Sequence, residues 1–167
     1  MDLYFTIKSI LHSSYFNEYN IINPINIIDN VFIGNAYVAS NWGIIRDYNI
    51  KHIINLSSKL PNLFINNNIN YTNFTLDKKL NNLDDILEII SNIQTTSNHT
   101  SNNNIFDNYN ILLIDTNLSN NISVIVIALL IYKYNFNFVY SIKYIENKSK
   151  IKLKLFDKHF ILLKNKY

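Results

Sequence analysis

The chain has no cysteine, which excludes a thiolate nucleophile, a disulfide framework, a cysteine-ligated zinc site and an iron–sulfur cluster. Arginine is reduced to Arg46, so bidentate recognition of a carboxylate or phosphate by a guanidinium has one available source. The two glycines, Gly34 and Gly43, are too few for a glycine-rich phosphate loop or dinucleotide fingerprint, whose turns need residues that accept positive φ. Asparagine substitutes in some such turns, and there are 31 of them beside 30 isoleucines. Both residue types have A/T-rich codons, so no single asparagine carries much weight. A net charge of +3 over 167 residues is too mild to indicate a nucleic-acid groove or an anionic membrane surface. The densest basic run, residues 148–154, alternates with apolar residues and reads as the solvated side of a terminal helix or loop. The longest apolar run, residues 122–132, contains Ser123 and is about half the length that spans a bilayer. The first sixteen residues lack the positive start and unbroken apolar stretch of a signal peptide. An intracellular chain that engages neither membrane nor nucleic acid is expected.

Along the chain, Leu3, Ile7, Ile10 and Leu11 recur at helical spacing and predict an amphipathic helix within residues 3–15. With its connector it forms a unit over residues 1–22, and residues 23–167 form the main domain. The runs INII and VFIG, separated by Asp29-Asn30, predict two short strands joined by a turn. A helix is expected over residues 36–48, a buried strand from His52 through HIINLSS, and a second strand through YTNFTL. Residues 81–94 predict an amphipathic helix whose Asp84, Asp85 and Glu88 suit the positive end of the helix dipole, an explanation that makes a divalent cation unnecessary. Residues 95–108 are polar and featureless and predict an exposed loop. NILLID then predicts a strand ending at Asp115, followed by a polar turn and the apolar helix ISVIVIALLIYKY. Helical stretches over residues 137–147 and 152–164 finish the chain. Strands alternating with helices indicate an α/β domain with helices packed on a sheet. In such sheets a ligand site lies outside the carboxyl ends of the strands, which directs attention to the turn after Asp115.

Several segments together resemble the dual-specificity branch of the cysteine-dependent protein tyrosine phosphatases, particularly the compact members carried by large DNA viruses. IIDNVFIGNAYVASNWGIIRDYNIKHIINLSSKLPN resembles that family's opening strand pair, alanine-bearing helix and following strand. YTNFTLD resembles the strand leading to its general-acid loop, and NILLIDTNLSNNISVIVIALLIYKY falls on its signature strand, phosphate loop and helix. The closing residues, with Phe156 and Leu162, resemble its final helix. The likeness spans residues 27–164. It implies a three-layer α/β domain with a central, mostly parallel sheet of about five strands flanked by helices. It also implies the host-cell cytoplasm or the virion as the chain's location.

The family's HCxxGxxR-S/T signature maps here onto Asp115, Thr116, Asn117, Leu118, Ser119, Asn120, Asn121, Ile122 and Ser123. The nucleophile position is Thr116, whose hydroxyl lacks a thiol's acidity and has no cation nearby to generate its alkoxide. The arginine position is Ile122, which offers neither charge nor hydrogen bonds to a transferring phosphoryl group. Ser119 replaces the loop glycine, and Asp115 puts a carboxylate where it would repel a phosphate dianion. Only Ser123 matches. Asp77 falls at the general-acid position, where an aspartate at a strand end is also an ordinary turn or cap residue. The four histidines, His12, His52, His99 and His159, lack the i, i+3 or i, i+4 pairing of a helical metal site. No metal and no cofactor is expected.

These residues imply a catalytically inactive pseudophosphatase that acts by binding a protein partner. Two alternatives are a weak phosphopeptide-reading module, using backbone amides ahead of a helix, and a hydrolase that uses Asp115 or Asp77. The partner is not identified by the sequence. The apolar stripe of Leu3, Ile7, Ile10 and Leu11 either packs on its own domain or forms a homodimer, as the resemblance to small viral members implies.

Overall fold

The computed structural model of the protein describes residues 21–98, 109–116, 120–149 and 157–167. The stripe of Leu3, Ile7, Ile10 and Leu11 lies outside the described residues. Strands β1 (Ile25–Ile28) and β2 (Val31–Gly34) form an antiparallel pair. The turn between them is made by Asp29, at φ 47°, and Asn30, as the Asp-Asn pair predicts. Two short helices follow, α1 (Ala36–Ser40) and α2 (Trp42–Asp47), then strands β3 (Ile50–Asn55) and β4 (Asn70–Asn73). Helix α3 (Leu83–Asn98), strand β5 (Asn110–Ile114) and helices α4 (Asn120–Tyr134), α5 (Phe138–Ser149) and α6 (Asp157–Lys166) complete the described chain. The sheet runs β1-β2-β5-β3-β4, and every pairing except β1 with β2 is parallel. The three layers and the mostly parallel five-stranded sheet are those the resemblance implied.

Strand β5 is central and buried on both sides, and its alternation assigns the two faces. Ile111 and Leu113 face the core built with α3, α4, α5 and Leu163 of α6, while Leu112 and Ile114 face Val38, Ala39 and Ile45 of α1 and α2. In β3 a register shift between Ile50 and His52 adds a residue, which puts Ile50 and Ile53 in the same cluster with Leu112. Helix α4 is apolar all round because it is enclosed all round: Val124 through Leu130 are no more than 1 % exposed. Among the described residues no single helix is long and apolar enough to cross a membrane. Gly34 is required by packing, since a Cβ there would lie 2.9 Å from Val38 Cγ1 and 3.2 Å from Leu112 Cδ1.

Several boundaries differ from the sequence expectation, each for a local reason. The helix expected over residues 36–48 is two helices, because Asn41 is extended at φ −103°, ψ 103°. Its side chain accepts from Ile44 N–H at 3.2 Å and starts α2 anew, as Asn35 does for α1 by accepting from Val38 N–H at 3.1 Å. The strand expected from His52 begins two residues earlier and ends at Asn55, where the Asn55 side chain accepts from Ser57 N–H at 3.0 Å and turns the chain. The strand expected through Leu76 ends at Asn73. Residues 95–98, expected in a loop, extend α3; the Thr95 and Thr96 hydroxyls donate to the Asn92 carbonyl. The rest of that expected loop, residues 99–108, lies outside the described residues, as do residues 152–156 of the final stretch. The closing helix, α6, runs on to Lys166, two residues beyond the expected end at 164.

Candidate functional site

The parallel strands β3, β4 and β5 deliver their carboxyl ends to one edge of the sheet, and the turn after the central β5 lies in the middle of that edge. Asp115 is the first residue beyond the strand and is 6 % exposed. Its Oδ1 accepts from the Thr116 backbone N–H at 2.7 Å and from the Thr116 hydroxyl at 3.2 Å, and its Oδ2 accepts from Asn121 Nδ2 at 3.4 Å. The carboxylate thereby closes the turn from inside and ties the strand end to the first turn of α4, where negative charge is favoured. The hydroxyl of Thr116 donates to this carboxylate, whose charge opposes formation of an alkoxide. Ile122 is 2 % exposed and packs in the same core cluster as Ile54, Leu113 and Ile125. It therefore belongs to the core. Ser123 is buried at 3 % exposure. Asn120 opens the helix, and Asn117, Leu118 and Ser119 lie outside the described residues.

Asp77 sits in the connection after β4 and organises its own turn. Its Oδ1 accepts from Lys79 N–H at 2.6 Å, its Oδ2 from Asn81 Nδ2 at 2.8 Å, and its N–H donates to Asn82 Oδ1 at 2.9 Å. These bonds, the Lys79 amide first, hold the carboxyl below its ordinary value of 3.8. A general acid near neutral pH needs the opposite shift. The turn also holds Leu80 at φ 61°, a conformation unfavourable to a side chain with a Cβ, and the Leu80 side chain is 3 % exposed in the core.

One feature was missed from the sequence. A cleft of about 280 Å³ lies at the carboxyl ends of β3 and β4, lined by Asn55, Ser57, Asn62, Asn73, Phe74 and Thr75 among others. Buried Asn55 builds its wall, donating to the Leu60 carbonyl at 2.8 Å and to Asn62 Oδ1 at 3.1 Å. The signal was present in an asparagine closing the apolar run HII, but the abundance of asparagine hid it. His52 Nε2 lies 2.8 Å from Thr72 Oγ1 across β3 and β4, and burial lowers the imidazole from its ordinary 6.5. His52 and His159 lie on different elements, and among the described residues no three histidine or acidic side chains gather as a metal site requires. Asp84 has a different use, accepting from Lys166 Nζ at 2.7 Å and from the Tyr167 hydroxyl at 3.3 Å. It anchors α6 to the start of α3.

No protein-family model matches the sequence, and no characterised protein matches it by sequence. Solved structures do match the fold. A leucine-rich-repeat and phosphatase-domain protein of Entamoeba histolytica is 18 % identical, with a TM-score of 0.64 over 86 % of this chain and 90 % of that one. A mouse putative dual-specificity phosphatase, solved with zinc tungstate, is 13 % identical, with a TM-score of 0.67 over 86 % of each chain. The human tyrosine phosphatase-like serine/threonine/tyrosine-interacting protein is 12 % identical, with a TM-score of 0.66 over 87 % of this chain and 95 % of that one. The chain has the dual-specificity phosphatase fold. Within that fold the turn after the central strand is where the sequence resemblance puts the phosphate loop, and here it is held by Asp115. The cleft at the ends of β3 and β4 opens on the same edge of the sheet as that turn.

Proposed function

We propose that this protein is a catalytically inactive member of the dual-specificity phosphatase type that acts by binding another protein. The observation that carries the reading is the turn after β5, where Thr116 is hydrogen-bonded to a buried aspartate and Ile122 is folded into the core. Phosphoryl transfer in this fold needs an anionic nucleophile and a cation on the equatorial oxygens. Thr116 and Ile122 supply neither, and no cysteine exists elsewhere to replace the first. Arg46 sits on α2 and pairs with Asp47 at 2.8 Å. Phosphate reading is disfavoured on the same grounds, because Asp115 lends negative charge to the turn. The hydrolase alternative is disfavoured because the two carboxylates it would use as nucleophile or base, Asp77 and Asp115, already accept hydrogen bonds within their own turns. The human structural neighbour named as phosphatase-like and interacting offers a parallel for a binding role.

The test is release of inorganic phosphate from phosphotyrosine and phosphothreonine peptides. The full chain is expected to match buffer, and so are Asp115→Ala and Asp77→Ala. Hydrolysis abolished by either substitution would overturn the inactive reading. A homodimer through the stripe Leu3, Ile7, Ile10 and Leu11 is part of the same proposal. Light scattering on the chain with and without residues 1–15 should show a dimer that becomes a monomer; a monomer in both samples removes the dimer.

A further inference from the structure

We infer that the surface formed by α5 and α6 docks an acidic protein segment that also carries apolar side chains. Charge is divided unevenly along the chain. Residues 133–167 hold nine lysines and two acidic residues, a balance of +7, whereas residues 1–132 balance to −4. A mild total thus conceals a basic C-terminal third. Within it, Val139 is 60 % exposed and Ile161 is 55 % exposed, two aliphatic side chains that no described element covers. Lys143 follows Val139 by one helical turn on α5, and Lys158 and Lys164 flank Ile161 by three residues on each side on α6, all three exposed. Phe138 meets Phe160 edge to face with ring centroids 4.9 Å apart, so the neighbours of Val139 and Ile161 join the two helices. The result is aliphatic contact points among lysines, complementary to alternating acidic and apolar side chains.

The α5 part of this surface is remote from the turn after β5. Helix α4 has 15 residues, so roughly 22 Å of helix separates that turn from the start of α5. A nucleic acid fits less well. The only arginine is on α2, and Tyr140, although half exposed, is held edge to face against Phe136 with ring centroids 4.8 Å apart. The inference supplies a partner class for the binding role proposed above and rests on it.

The test uses the full chain and a fluorescein-labelled peptide of repeating Glu-Glu-Leu, followed by fluorescence anisotropy at low salt. Lys143→Glu with Lys164→Glu should weaken binding by about tenfold or more, and Val139→Ser with Ile161→Ser by roughly threefold or more. Lys51→Glu with Lys59→Glu, on exposed residues elsewhere, makes the same charge change and should alter affinity by less than about twofold. No measurable binding of the peptide, or equal losses in the two charge-reversed variants, overturns the inference. So does tighter binding, at this same surface, of a thymidine oligonucleotide or of phosphatidylserine vesicles. Phosphate release measured on the same sample reports separately on the inactive reading: activity with intact peptide binding would sink that reading and leave the docking surface standing.

Discussion

Asp77 and Asp115 each follow a parallel strand at the same edge of the sheet, yet their carboxylates do different work. Asp77 is only partly buried and spends its oxygens on the Lys79 amide and the Asn81 side chain of its own turn. Asp115 is buried and ties a strand end to a helix start through Thr116 and Asn121. One shapes a surface loop and the other is part of the interior. Residue type and position along a strand therefore do not determine chemistry, because the groups each carboxylate faces decide whether it is a cap, a brace or an acid.

The sharpest break in this comparison comes from the β5 side. Ile122→Arg should cost about 3–5 kcal/mol, because it forces an unpaired charge into the core beside Leu113 and Ile125; chemical denaturation measures it. Thr116→Cys combined with Ile122→Arg should remain inactive for the same reason, since the guanidinium is introduced at a position that faces the core. Asp115→Ala should cost about 1–3 kcal/mol by leaving the Thr116 amide and the Asn121 side chain without their acceptor. A loss below half a kcal/mol, within the usual range for surface substitutions, would contradict the interior role of this carboxylate.

The β4 side should respond more weakly and mainly to pH. Burial lowers His52 in the folded state, so the unfolded chain takes up its proton first as pH falls. The stability His52 contributes is present above about 6.5 and lost as pH falls through the lower folded value. His52→Gln should flatten that part of the stability profile between neutral and mildly acidic pH. Asp77 behaves alike in a more acidic window, its contribution present above 3.8 and lost below it. Asp77→Asn should therefore shift the melting temperature less than Asp115→Ala does, and should shift it least at the acid end.

The comparison also separates what was legible in the sequence from what was not. Strand β5 and helix α4 were legible because each is dominated by a dense apolar run, and burial on every side is the environment that suits such a run. The opening hairpin was legible through Asp29-Asn30. The break at Asn41 was not, because a cap depends on where one side-chain oxygen points, and 31 asparagines offer too many candidates. Left-handed turns had the same difficulty: Asn49, Asn68 and Asn135 have positive φ, and neither glycine does. Thr116 and Ile122, at the positions the resemblance assigns to the nucleophile and the arginine, were visible as letters. That the Ile122 side chain lies in the core, and that Asp115 braces the turn, required the geometry. The anchoring of α6 by Asp84 likewise depends on a contact 82 residues apart.

The central claim, that the turn after β5 neither transfers nor holds a phosphoryl group, is tested most directly by phosphorus NMR of a phosphotyrosine peptide with a stoichiometric amount of the full chain. The account predicts a peptide resonance that stays sharp and unshifted, with no inorganic phosphate appearing. Growth of the phosphate signal would contradict it, as would broadening or displacement of the peptide resonance that disappears on substituting Thr116 or Asn121.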